Sequence, residues 1–143
     1  MQKIEILCVG GIKEDYFRAA TAEYEKRLVA YCRVHATECK ADAQLLPFLQ
    51  AHPRDYKGAL CVEGIECTSP QLAELLASCA NQGSGDVIFV IGGSDGLPEE
   101  VKAACHKRLS FSRLTFPHRL MRVLLAEQLY RAQSILHNGS YHK

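Results

Sequence analysis

Short apolar runs alternate with longer stretches in which apolar residues recur three and four positions apart. The runs are typical of buried strands, and the longer stretches are typical of amphipathic helices. The predicted strands are 3–9, 32–39, 59–62, 87–91 and 113–116, and the predicted helices are 13–29, 43–51, 69 to about 82, 98–108 and 117–137. Ser69 is the predicted N-cap of the third helix, with Pro70 at its first position. This alternation predicts an α/β fold, a mostly parallel sheet flanked by helices in a single domain over 1–143.

The most apolar strand leads directly into a glycine-rich turn. Four of the five residues of Val87–Ile91 are β-branched, and Gly92-Gly93-Ser94-Asp95-Gly96 follows. Glycine allows positive φ and lets the backbone approach a ligand closely. Pro98 and the two acids after it are typical of a helix start. The unit is therefore either a small-molecule site or simply a tight connection. Its spacing matches neither a P-loop nor the dinucleotide fingerprint.

The last predicted helix begins with cations. His118, Arg119 and Arg122 occupy its first turns, where positive charge opposes the helix dipole. An anionic ligand or an RNA phosphate would explain their position, and His118 and Arg122 are spaced to share one face. The alternatives are a capping or packing role for His118, and for Arg122 a solvated side chain or an ion pair with Glu127 or Asp95.

The same helix is apolar around most of its circumference. Such a helix is buried on more than one side, which favours a homodimer built on it; enclosure by the chain's own sheet is the alternative. Arg131 lies within this apolar segment and must be paired there, either in a structural ion pair or in a substrate pocket.

Composition narrows the class of protein. The net charge is +1, so RNA binding would need a local patch such as 106–108 with Arg113, which could equally be a solvated face. No apolar run reaches the length of a membrane span, and the N-terminus lacks a signal-peptide pattern, which predicts a cytoplasmic protein. The seven cysteines form no C-x-x-C pair, so we expect reduced, mostly buried thiols and no metal site.

Several ordered motifs together resemble one family. They are Val-Ile-Phe-Val-Ile-Gly-Gly-x-x-Gly from Val87, Leu-Thr-x-Pro-His-x-x-x-Arg-Val-Leu from Leu114, Glu-Gln-Leu-Tyr-Arg-Ala from Glu127, and the terminal Tyr141-His142. With Ser-Pro-Gln-Leu at 69–72, they resemble the RlmH family of SPOUT-class methyltransferases along the whole chain. The segment after Cys39 is shorter than is usual in that family, and Gly139-Ser140 stands where a proline usually precedes the tyrosine.

The resemblance implies a fold, a reaction and partners. It implies an α/β trefoil knot near the C-terminus, S-adenosyl-L-methionine as methyl donor and a homodimer without metal. The implied substrate is N3 of a pseudouridine in large-subunit (23S) rRNA, read in the assembled ribosome. The alternatives are a non-enzymatic RNA- or ribosome-binding module, or a small hydrolase-like or flavodoxin-like enzyme that binds phosphate at the glycine turn.

The resemblance also implies site residues. The cofactor site comprises Val62, Gly92, Gly93, Phe111, Ser112, Arg113, Leu114, Thr115 and Phe116. The catalytic set comprises His118, Arg122, Arg131, Tyr141 and His142. Loss of the N3 proton requires a base or a cationic environment that stabilises the resulting anion. We expect Arg122 or Arg131 to stabilise the enolate, and His118 or His142 to assist with the proton.

Overall fold

A five-stranded, fully parallel sheet forms the centre of the molecule. The computed structural model describes residues 1–143. The strands are β1 Lys3–Val9, β2 Arg33–Cys39, β3 Tyr56–Glu66, β4 Val87–Ile91 and β5 Lys107–Ser110, in the order β2-β1-β4-β3-β5. The helices are α1 Asp15–Leu28, α2 Leu45–Gln50, α3 Ser69–Cys79, α4 Glu99–Ala103 and α5 His118–Leu136, with a 3-10 turn at Asp42–Gln44. The predicted α/β class is confirmed.

The middle strand β4 is buried on both faces. Phe89 belongs to the larger core cluster, under α1, α3 and α5, whereas Ile88 and Val90 belong to the smaller cluster, under α2 and α4. All five residues of β4 are buried. Each fully buried side chain of this size contributes roughly 1.5–3 kcal/mol. The uninterrupted apolar run therefore reflects a strand covered by helices on both sides.

Strand β3 is longer than predicted because it contains a bulge. Its register against β5 shifts between Leu60 and Ile65, both of which pair with Leu109. A Cβ at Gly64 would lie 2.7 Å from the carbonyl carbon of Arg108, so a side chain at this position would collide with β5. The bulge displaces the residues between them, and Val62 within this segment is 39% exposed.

The predictions of the last strand and of the end of the helix before it were wrong. Residues 113–116 contain no strand; the edge strand is β5, and α4 ends at Ala103 rather than Arg108. Leu109 on β5 is 4% exposed, whereas Leu114 is 68% exposed, so the sheet edge buries the earlier segment. Lys107 and Arg108 are charged, so the start of this strand resembled the polar pattern of a helix and was assigned to the helix before it.

The start of α3 differs by one residue from the prediction. Thr68, not Ser69, is the N-cap: its hydroxyl accepts a hydrogen bond from the Gln71 amide at 3.2 Å. The Gln71 side chain accepts from the Thr68 amide at 2.9 Å, which completes a capping box. The prediction that Pro47 lies in the first turn of its helix is confirmed.

Buried thiols predict a loss of stability at alkaline pH. Burial raises the pKa of Cys8, Cys32 and Cys105 from 9.0 to about 11. Between these values the unfolded chain releases thiol protons that the folded chain retains. The free energy of unfolding should therefore fall as pH rises from about 9 to 11, by up to about 1.4 kcal/mol per pH unit for each thiol.

Urea denaturation at pH 8, 9, 10 and 11 measures this slope. Cys32→Ala removes one buried thiol, so its slope between pH 9 and 11 should be shallower than that of the unmodified protein. An unchanged slope in the variant would show that Cys32 ionises equally readily in the folded and unfolded chains.

Candidate active site

A cavity lies at the carboxyl ends of β3 and β4, where parallel α/β sheets usually bind ligands. We call it the strand-end cavity, and its volume is about 190 Å³. Its lining includes most of the residues that the family resemblance implied, namely Val62, Gly92, Gly93, Phe111, Ser112, Leu114, Thr115, Phe116 and His118. The fold therefore brings together three segments that are far apart in sequence.

The glycine turn forms one wall of the strand-end cavity. The Gly96 amide donates to the Gly93 carbonyl at 3.0 Å, and Gly96 has a φ of 78°. A Cβ at Gly92 would lie 2.5 Å from the carbonyl carbon of Gly96. Only glycine at position 92 allows the turn to close this tightly. Its backbone therefore faces the cavity without intervening side chains.

The opposite wall is the loop between β5 and α5. Two serines fix its path: Ser110 Oγ donates to the Ser112 carbonyl at 2.9 Å, and the Leu114 amide donates to Ser112 Oγ at 3.0 Å. Arg113 alone among the implied cofactor residues does not line the cavity. Its guanidinium donates to the Val62 carbonyl and forms a 3.2 Å ion pair with Glu66. Arg113 thereby ties this loop to the bulge of β3.

Charge in the strand-end cavity is balanced. Glu63 and Lys102 both line the cavity and form an ion pair with each other. The hydrogen bond from Lys102 lowers the pKa of Glu63. The other ionisable side chains that line this space are His118 and the Cys61 thiol. Burial raises the pKa of that thiol. The cavity is suited to a ligand that is held mainly by backbone groups and apolar contacts.

A second cavity adjoins the strand-end cavity. This side cavity has a volume of about 330 Å³ and shares Phe111, Ser112 and Phe116 with the first. Its far wall joins α3 to α5, where Ser69 Oγ donates to Gln128 Oε1 at 2.6 Å. We call these two adjoining cavities together the crevice. The sequence had given no indication of the pairing between Ser69 and Gln128.

The two predicted catalytic residues in the first turns of α5 have different surroundings. His118 lines the strand-end cavity. Arg122 instead is 7% exposed and donates to Glu38 Oε2 at 2.5 Å, whereas its Nε has no partner. The predicted partners Glu127 and Asp95 are therefore wrong. Glu38 lies 84 positions away in sequence and carried no local signal.

The remaining predicted catalytic residues form a separate group around Glu127. Arg131 pairs with this carboxylate at 2.7 Å, the Tyr141 hydroxyl donates to it at 2.7 Å, and His142 lies 3.4 Å from Arg131. Burial, followed by the hydrogen bond to Glu127, raises the pKa of Tyr141. Arg131 thus forms the structural ion pair that was one of its two predicted roles. The four-residue spacing of Glu127 and Arg131 was a usable signal.

This group does not reach His118 within one chain. His118 and Arg131 are 13 positions apart on α5, which corresponds to roughly 20 Å along the helix axis. A single copy of the chain therefore does not unite all five predicted catalytic residues.

The predicted RNA-facing patch is largely neutralised. Arg108 pairs with Glu99 at 2.6 Å, and Arg113 pairs with Glu66. The His106 ring accepts from the Lys57 amide at 3.0 Å and stacks on Tyr56. Only Lys107 of this group lacks a charged or hydrogen-bonded partner. The run is better described as a solvated, ion-paired edge.

Two classes of site are not observed in the structure. No three His, Cys, Asp or Glu side chains lie close enough together to hold a metal ion. None of the helices combines the length and apolarity that a membrane crossing requires.

Family comparison defines the class of protein. The family model for predicted SPOUT methyltransferases matches residues 2–142, so the chain belongs to the SPOUT methyltransferase family and is an enzyme of the methyltransferase class. It is 40% identical to ribosomal RNA large subunit methyltransferase H of Oenococcus oeni, over all of both chains. The resemblance to the RlmH family is confirmed. That alignment spans 160 positions, more than the 143 residues of this chain, so the chain lacks residues that the relative contains.

Solved structures confirm the fold. A probable methylase family protein from Haemophilus influenzae superposes with a TM-score of 0.60 at 14% identity, covering 98% of this chain and 70% of that one. The SpoU methyltransferase AviRb from Streptomyces viridochromogenes, solved in complex with AdoMet, gives 0.52 at 8% identity, covering 94% and 58%. The trefoil knot that the resemblance implies stays a prediction.

Proposed function

We propose that the protein transfers a methyl group from S-adenosyl-L-methionine to N3 of a pseudouridine in large-subunit rRNA. The observation that carries this proposal is the backbone-lined crevice at the carboxyl ends of β3 and β4 in a SPOUT family member. The name of the Oenococcus oeni relative supports large-subunit rRNA as the substrate. Such a substrate would place the protein in the cytoplasm, and the whole chain would act as a single methyltransferase domain.

The crevice suits the proposed cofactor. S-adenosyl-L-methionine is elongated, and the strand-end and side cavities lie next to each other, sharing Phe111, Ser112 and Phe116. Gly92 and Gly93 present backbone that can contact an adenosine directly, whereas Val62 and the 111–116 loop close the other side. Arg113 would act indirectly, by holding that loop to Val62. The AdoMet complex of the related fold is consistent with this use. When bound, the cofactor supplies an electrophilic methyl group.

The protein's own residues must orient the base and manage its N3 proton. His118 is the titratable side chain on the cavity wall at the start of α5 and is our candidate to accept that proton. Arg122 is held by Glu38, so we assign it a positioning role: it ties α5 to the end of β2 and thereby fixes His118 one turn away. Holding base and methyl donor in line supplies most of the rate acceleration.

A homodimer would complete the site. The outer face of α5 carries Leu120, Val123 and Leu124, which are only partly buried, next to exposed Leu114. Packing this face against a second copy would bury it. The same arrangement could bring the group of Arg131, Tyr141 and His142 from one copy to the strand-end cavity of the other. This accounts for the separation of the predicted catalytic residues within one chain.

Mass spectrometry of rRNA tests the function. Large-subunit rRNA from cells lacking this protein should lose one methylated pseudouridine, and the intact gene should restore it. Val62→Trp should fill the crevice, so it should fail to restore the methyl group and should weaken S-adenosyl-L-methionine binding by more than about tenfold in calorimetry.

Val29→Trp is the matched control. Val29 is 70% exposed at the end of α1 and lines neither cavity, so this variant should bind and restore normally. Ribosome binding without cofactor affinity would instead identify a non-enzymatic module. Normal affinity in Val62→Trp would place the cofactor elsewhere.

A further inference from the structure

A third space, the polar cavity, lies at the carboxyl ends of β1 and β4. Its volume is about 360 Å³, within the usual range for small-ligand sites. It is lined by Val9, Gly10, Asp42, Gly93, Ser94, Asp95, Gly96 and His118, of which only one is hydrophobic. Its polar lining contrasts with the crevice assigned to the cofactor.

The polar cavity adjoins the strand-end cavity across the glycine turn. Gly93, Ser94, Gly96 and His118 line both spaces. A ligand in one space would therefore lie beside a ligand in the other, with His118 next to both. Methyl transfer requires two reactants that meet at such a boundary.

The charges around the polar cavity are unpaired, unlike those elsewhere on this edge. Asp42 and Asp95 form no side-chain hydrogen bond or ion pair. Lys13 and Lys40 lie in the same two connections that supply Gly10 and Asp42, and their ammonium groups also lack partners. Exposed cations beside a cavity can contact phosphates while the carboxylates that line the cavity contact a base. This arrangement fits a nucleotide whose base contacts the lining of the polar cavity.

We propose that the polar cavity receives the target pseudouridine and that Asp95 accepts a hydrogen bond from its N1–H; this rests on the proposed function. Pseudouridine carries N1–H where uridine offers only a C–H, and a carboxylate can accept only from the former. N1–H and N3–H diverge on either side of the C2 carbonyl. A base with N3 towards His118 therefore directs N1 towards another wall.

Asp95 is favoured over Asp42 by its place in the chain. It lies in the turn whose neighbours Gly93, Ser94 and Gly96 line both cavities, and the Gly96–Gly93 hydrogen bond fixes that turn. Asp42 begins the 3-10 turn on the opposite side and contacts only the polar cavity. Asp95 is therefore assigned as a residue that selects pseudouridine over uridine.

The test compares two substrates. Large ribosomal subunits from cells lacking this protein carry pseudouridine at the target; subunits from cells that also lack the isomerising enzyme carry uridine there. With tritiated S-adenosyl-L-methionine, the unmodified protein should prefer the first in kcat/KM by more than about tenfold. Asp95→Ala should reduce this preference to about twofold or less, and Asp95→Asn, which retains a neutral acceptor, should be intermediate.

Asp42→Ala is the matched control and should keep the preference. All three variants should bind S-adenosyl-L-methionine as the unmodified protein does. Equal methylation of both substrates by the unmodified protein, or a full preference in Asp95→Ala, overturns the assignment while leaving rRNA methylation intact. Methylation of neither substrate overturns the proposed function, and the assignment with it.

Discussion

Deleting Ser140 to Lys143 is expected to reduce methylation by more than about 100-fold while changing S-adenosyl-L-methionine affinity by less than about twofold. The deletion removes Tyr141 and His142, which contact Glu127 and Arg131, yet neither lines the crevice. Single-turnover methylation of large subunits and calorimetry measure the two quantities. Lys143→Ala is the control: its side chain has no partner, and it should retain full activity. Full activity of the truncated chain would remove the tail from the mechanism.

Mixed dimers show which copy supplies the tail. A truncated chain paired with a His118→Ala chain retains one cavity with His118 and one tail, on different copies. If the tail acts across the dimer, each mixed dimer should recover about half of the activity of an unmodified dimer, although each parent is inactive. If the tail acts within its own chain, the mixed dimer stays inactive.

Gly92→Ala is expected to destabilise the protein by more than about 2 kcal/mol and to abolish cofactor binding. The new methyl group would lie 2.5 Å from the Gly96 carbonyl carbon, so the turn must open. A substitution at Gly92 would therefore act through the protein's own backbone, not merely by filling the cofactor's space.

Gly93→Ala is the matched control for the turn. Its Cβ would meet nothing closer than Val9 at 3.8 Å, and Gly93 has no positive φ. Its stability, measured by urea denaturation, should stay within about 1 kcal/mol of the unmodified protein. Unchanged stability of both variants would mean that the turn tolerates a side chain at both positions.

Hydrophobic patterning predicted the sheet better than its edges. The run Val87–Ile91 is buried on both faces, so its composition alone identified it. Strand β5 is short, lies at the edge of the sheet and begins with Lys107 and Arg108. Its pairing with β3 depends on tertiary contacts, which cannot be inferred from the composition of the strand. The bulge of β3 likewise depends on Gly64 packing against β5.

The candidate site was predictable where it is built from contiguous motifs. The glycine turn and the 111–116 loop were recognised through the family resemblance, and both line the strand-end cavity. The pair of Arg122 with Glu38 was missed because no local spacing links α5 to β2. Asp42 and the polar cavity were missed for the same reason, since three separate connections and the start of α5 form its walls.

The ion-paired edge near β5 has a consequence for how the protein would find its substrate. Arg108 and Arg113 are matched by carboxylates, and the net charge of the chain is only +1. Few counterions would be released on contact with rRNA, so long-range attraction would contribute little to encounter. Naked RNA of any sequence would then compete weakly. Selection would depend on surface shape, which favours a partner whose three-dimensional form is already complete.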